Sequence, residues 1–116
     1  MTDLTAEHRL ATYGTLAPGQ VNAGQLSGLN GLWSYGTVRG HLYSQGWGAV
    51  HGCPGIVLDP LGEEIDVSIF QSADLPGHWQ RLDEFEGAEY RRVETRAKTN
   101  NGMLEVFIYE LVLQDI

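Results

Sequence analysis

Residues 74–112, DLPGHWQRLDEFEGAEYRRVETRAKTNNGMLEVFIYELV, hold the clearest helix in the chain and its plainest pair of strands. Asp74 suits a helix N-cap and Pro76 suits a first turn. Trp79, Leu82 and Phe85 then recur at intervals of three, which predicts a helix over 75–85 with that stripe facing the core. Gly87 is a natural terminator. Beyond it, Tyr90 to Ala97 and Leu104 to Val112 alternate as strands and are separated by the turn signal Asn100-Asn101-Gly102. The alternation places Val106, Ile108 and Glu110 on one side, and Phe107, Tyr109 and Leu111 on the other.

Working back from this stretch, strands are expected at Leu10 to Tyr13, Leu32 to Tyr43, Ile56 to Leu58 and Ile65 to Phe70. The last two flank an Asp59-Pro60 and Gly62 turn signal and are expected to form a hairpin. Gly36 and Gly40 inside the long strand predict bends, a bulge or close approach by another backbone. Two segments, 15–30 and 44–55, are rich in glycine and turn formers and read as substantial loops. Loops of such length are uncommon unless they bind something or are disordered. About six strands and one main helix, without repeated crossover helices, define an α+β chain built on a curved, largely antiparallel sheet or small barrel. At 116 residues, a single domain over residues 1–116 is expected.

The composition excludes several function classes. Seven basic against fifteen acidic residues give a formal net charge of −8, which disfavours a nucleic-acid surface. The basic cluster Arg91, Arg92 and Arg96 is interleaved with Glu89 and Glu94. Apolar runs are far too short to span a bilayer, so no membrane partner is expected. The polar start, with Asp3, Glu7 and His8, lacks the pattern of a secretory signal. The single cysteine, Cys53, rules out an intramolecular disulfide and suits a cytoplasmic setting. His8, His41, His51 and His78 lack the spacing of a helical metal motif, and no serine has the glycine framing of a nucleophile elbow.

Two segments carry candidate chemistry. Tyr13-Gly14-Thr15-Leu16 ends a strand at a glycine that can let successive amides converge on one oxygen, although a plain turn is equally consistent with these residues. Leu82-Asp83-Glu84-Phe85-Glu86-Gly87 brings three carboxylates to a helix end. Glu86 can turn inward there, and both burial and its neighbours would raise its pKa. Asp83 and Glu84 read as closer to solvent. The residues alone also allow three solvated acids.

Taken together, these segments resemble the gamma-glutamylcyclotransferase-like family, whose signatures are Tyr-Gly-Ser/Thr-Leu and Leu-Asp-x-x-Glu-Gly with a trailing Tyr-x-Arg, here Tyr90 and Arg92. Gly36-Thr37-Val38-Arg39-Gly40-His41-Leu42-Tyr43 and Pro54-Gly55 are also similar to family segments, so the resemblance spans about residues 10–112. It implies a partly closed β-barrel, a gamma-glutamyl amine or amino acid as substrate, release of 5-oxoproline, and no metal or organic cofactor. It implies Glu86 as the catalytic acid/base. The substrate-binding set is Tyr13, Gly14, Thr15 and Leu16, with Tyr90 and Tyr109. One departure is Ile65-Asp66-Val67-Ser68-Ile69-Phe70, where Asp66 stands near a family glycine and is expected to narrow the pocket or change its charge. The alternative reading is a non-catalytic small-ligand or protein-binding member of the same fold, using Trp33, Tyr43 and Trp47. Oligomeric state is not legible.

Overall fold

The computed structural model describes residues 4–13, 24, 26–43 and 55–112. Six strands and one α-helix follow in the order β1 (Arg9–Thr12), β2 (Leu32–Tyr43), β3 (Gly55–Leu58), β4 (Glu63–Gln71), α1 (Trp79–Glu86), β5 (Tyr90–Thr99) and β6 (Gly102–Leu111). Single 3-10 turns at Ala6–His8 and Leu75–Gly77 precede β1 and α1. The sheet order is β3-β2-β4-β1-β6-β5, and a further pairing of β2 with β5 closes it into a barrel. Every pairing is antiparallel except that of β1 with β6. The mixed fold with a small barrel and one main helix agrees with the expectation from sequence.

The side-chain alternation of the strands sorts the core into two layers. Ala11, Ile69, Val106 and Ile108 belong to the cluster inside the barrel. Their neighbours Leu10, Phe70 and Tyr109 face the other way and pack with Leu75, Trp79 and Leu82 of the helical segment. An eight-residue helix is too short to hold itself in water. Burying Trp79 and Leu82, which are 6% and 0% exposed, contributes roughly 2 kcal/mol each and supplies what propensity lacks. The Trp79 indole N–H also donates to the Glu7 carbonyl at 2.8 Å.

The expected β3–β4 hairpin does not form. Both strands pair with β2 instead, β3 along Gly40–Tyr43 and β4 along Leu32–Gly40. Local alternation marks strands but not partners, and β2 at 12 residues is long enough to serve both. The Asp59–Gly62 turn passes against Gly40, where a Cβ on Gly62 would stand 2.6 Å from the Gly40 carbonyl oxygen. The expected Asp74 cap is also replaced. Asp74 makes no side-chain cap bond, and its Oδ2 accepts the Asn30 backbone N–H at 2.9 Å.

Closure depends on Gly36. β2 meets β5 at Thr37 opposite Lys98, and a Cβ at Gly36 would lie 2.7 Å from the Lys98 carbonyl oxygen. Backbone cannot yield as a flexible side chain can, so the glycine permits the close approach foreseen in the sequence. Gly36→Val is expected to destabilise the protein by about 1–3 kcal/mol, read as a lower urea midpoint. Ser34→Val, at an exposed β2 position outside the closure, serves as the control and is expected to change the midpoint little.

Candidate active site

Glu86 is the last residue of α1 and is 8% exposed. It stands seven residues after Trp79 and four after Leu82, so the helical period itself carries it onto the buried face. Phe85, expected to complete the stripe, is only half-buried. Immediately after Glu86 the chain leaves the helix through Gly87, whose φ of 80° and ψ of −173° lie in a region essentially confined to glycine. Burial lifts the Glu86 carboxyl from an ordinary value of 4.5 to about 7. The cause differs in weight from the expectation: removal from water does this, and Asp83 and Glu84 are otherwise placed.

Tyr13, at the end of β1, reaches across the barrel. Its hydroxyl donates to the Tyr109 carbonyl oxygen at 2.6 Å and accepts the Ile56 backbone N–H at 3.1 Å. Burial pushes its pKa well above the ordinary range, the Ile56 bond opposes that rise, and the charges of Tyr90, Glu86 and Glu110 add to it. Tyr109 is buried on β6 and donates its hydroxyl to Asp83 Oδ1 at 2.6 Å. Its pKa is likewise raised, first by burial, then by the Asp83 hydrogen bond and charge, with Arg92 opposing and Glu86 adding. Both phenols therefore stay protonated near neutral pH and act as hydrogen-bond donors. Glu86 contributes to the rise of both phenols, and the half-buried Tyr90 at the start of β5 contributes to that of Tyr13. Gly14, Thr15 and Leu16 lie outside the described residues.

Two carboxylates that the sequence reading left in the background organise this region. Asp83, whose side chain is 42% exposed in keeping with the expectation, is nevertheless gripped by Arg92 through Nε to Oδ1 at 2.9 Å and a terminal nitrogen to Oδ2 at 3.2 Å. The Arg92 guanidinium lies over the Trp79 and Phe107 rings at 4.6 and 4.8 Å, a setting that favours arginine over lysine. Glu110, 7% exposed, accepts the Leu58 backbone N–H at 2.9 Å and the Arg91 Nε–H at 3.0 Å. With Tyr13, it supplies β3 with partners for two backbone amides. The sequence signal for Glu110 was its place on the Val106 and Ile108 side. For Asp83 it was the arginine-aromatic composition of β5 and β6, which the helix pattern alone does not decode.

Other sequence candidates fall elsewhere. Asp66 is exposed on β4 and borders a hollow of about 320 Å³ with Tyr35, Glu64 and Lys98. Arg91 and Arg92 are committed to Glu110 and Asp83, and Arg96 stands 3.9 Å from Glu105. The arginines thus form no single basic face. Trp33 is half-buried and packs on Phe70 with ring centroids 5.0 Å apart, which is core packing. Tyr43 is half-buried at the end of β2, and Trp47, His51 and Cys53 lie outside the described residues. Among the described residues, no group of three or more His, Cys, Asp or Glu side chains could hold a metal ion.

A small barrel with one short helix carries, at the end of that helix, a buried carboxyl suited to proton transfer. Over residues 10–115 the chain matches the family described as gamma-glutamyl cyclotransferase, AIG2-like, and it belongs to that family. Among solved structures it is similar to an uncharacterized protein, PH0828, of Pyrococcus horikoshii, with a TM-score of 0.65 and 25% identity over 93% of this chain and 80% of that one. An AIG2-like protein of Mus musculus shares the fold with a TM-score of 0.70 and 21% identity, over 93% of this chain and 79% of that one. YkqA of Bacillus subtilis shares it with a TM-score of 0.71 and 23% identity; the match covers 94% of this chain but 37% of that one. No curated protein sequence matches the chain.

The buried carboxyl gives a stability signature. A folded-state pKa raised from 4.5 to about 7 means that the protonated form stabilises the fold below about pH 4.5. That contribution is lost as pH rises through 7, a change of roughly 3 kcal/mol. Glu86→Gln is expected to remove this fall, so that the stability difference between variant and wild type grows in the variant's favour from pH 4.5 to pH 8. Urea unfolding at a series of pH values measures it. Tyr13→Phe strips partners from the Ile56 N–H and the Tyr109 carbonyl and is expected to cost about 1–3 kcal/mol in the same assay.

Proposed function

We propose that the protein is a gamma-glutamyl cyclotransferase in which Glu86 is the general acid/base. The observation that carries this reading is the Glu86 carboxyl, held at the helix end in a buried position with its pKa pushed up to about 7. An ordinary surface glutamate is fully ionised at neutral pH and a poor proton acceptor. One poised near 7 exists in both forms and can first take and then return a proton.

The reaction needs both acts. The α-amine of a gamma-glutamyl group arrives mainly protonated; Glu86 takes a proton, and the freed nitrogen attacks the γ-carbonyl carbon of the same substrate. A five-membered ring closes, the γ-carbon to leaving-nitrogen bond breaks as Glu86 gives its proton to the departing nitrogen, and Glu86 then takes the second proton from the ring nitrogen and passes it to the freed amine, which leaves as its ammonium form. The products are 5-oxoproline and a free amine or amino acid, with no water, oxidant or further co-reactant consumed. Because nucleophile and electrophile sit in one molecule, holding the substrate folded supplies much of the acceleration. Backbone amides at Gly14, Thr15 and Leu16 are suited to the substrate carboxylate or to the oxyanion that forms on the γ-carbonyl. Tyr13, Tyr90 and Tyr109 would contribute ring surface and fixed dipoles around Glu86. The substrate class is a gamma-glutamyl amine or amino acid.

Incubating purified wild type with a panel of gamma-glutamyl amino acids and gamma-glutamylamines is expected to yield 5-oxoproline from at least one of them. Glu86→Gln is expected to lose about 10²–10⁴-fold in kcat/KM. Since the ionised carboxylate is the base, kcat/KM of the wild type should rise with pH through about 7. Equal release by wild type and Glu86→Gln would refute the assignment of Glu86, and no release from any substrate would refute the activity.

A further inference from the structure

Helix α1 ends in the residue that matters most, yet it has only eight residues and no side-chain N-cap. Something must fix its last turn. Asp83 lies three residues before Glu86, one helical turn away. Its backbone carbonyl accepts the Gly87 N–H at 3.0 Å, while its carboxylate receives the Arg92 guanidinium from β5 and the Tyr109 hydroxyl from β6. Arg92 is itself set by the Trp79 and Phe107 rings at 4.6 and 4.8 Å. The clamp therefore joins the helix end to two strands through groups that have little freedom to move.

The charged groups on the strands packed against this end of α1 are themselves committed, Arg92 to Asp83 and Arg91 to Glu110, each at 2.9 Å. Burial raises the Glu86 carboxyl, so what the clamp governs is how far the last turn keeps that carboxyl out of water. We propose that Asp83 is a positioning residue for Glu86: it locks the last turn of α1 onto β5 and β6 and so holds the Glu86 carboxyl out of water. The inference rests on the reading of Glu86 as the acid/base.

The test compares wild type, Asp83→Ala, Asp83→Asn and Arg92→Met by the pH dependence of kcat/KM for 5-oxoproline release. Asp83→Ala removes both side-chain partners of the helix end and is expected to let water reach Glu86, moving the acid limb down by roughly half a pH unit or more. Asparagine keeps the shape and the acceptor for Tyr109, so Asp83→Asn should stay closer to wild type than Asp83→Ala. Arg92→Met keeps apolar bulk between the rings but opens the same clamp from β5, and is expected to move the limb down as well. An acid limb of Asp83→Ala that stays in place or moves up would overturn the proposal. If Asp83→Ala does not fold, Arg92→Met decides alone: a downward shift supports the proposal, and no shift or an upward one overturns it. Full activity of Glu86→Gln would instead mark failure of the underlying assignment, irrespective of how Asp83 behaves.

Discussion

A carboxyl group taken out of water resists ionisation, and burying one at the end of a two-turn helix requires the rest of the chain to hold that helix still. Trp79 and Leu82 anchor α1 on the outer face of the barrel. Glu86 follows them on the same side because the helical period repeats there, and Gly87 lets the backbone leave at once without drawing Glu86 outward. A longer helix would have carried the chain past this face; a residue with a Cβ at Gly87 would have strained the exit. The unusual acidity of Glu86 is thus a consequence of where a short element stops.

The barrel beneath is held partly by side chains where the backbone ladder ends. β3 has only four residues, and its amides at Ile56 and Leu58 are met by the Tyr13 hydroxyl and the Glu110 carboxylate. Tyr13 thereby connects β1, β3 and β6 with one oxygen atom. Buried polar groups of this kind are costly if any partner is lost and rigid when all are present. Rigidity around Glu86 is what the proposed acid/base role would demand, since a proton must pass across hydrogen-bond distances.

Much of the fold was legible because its signals are local. The limits of β2 at Leu32 and Tyr43 and the alternation of β6 follow from side-chain pattern, and the Gly36 approach to Lys98 follows from the absence of a Cβ. The pairing of β3 was not legible, because alternation marks a strand without naming its neighbour. Glu86 was found through its sequence context, but its burial could have been read from spacing to Trp79 and Leu82 as well. The exposure of Asp83 was legible but its partners were not, for a physical reason: helix geometry says which way a side chain starts, whereas Arg92 and Tyr109 come from strands that the helix pattern does not see.

The central claim is that one buried carboxyl titrates near neutrality. Side-chain carboxyl carbon resonances of protein labelled with 13C-glutamate, followed from pH 3 to pH 9 and assigned by loss of one signal in Glu86→Gln, measure it directly. The account predicts that the Glu86 signal titrates with a midpoint near 7, well apart from the exposed glutamates. A midpoint for Glu86 in the ordinary range near 4.5 would contradict it.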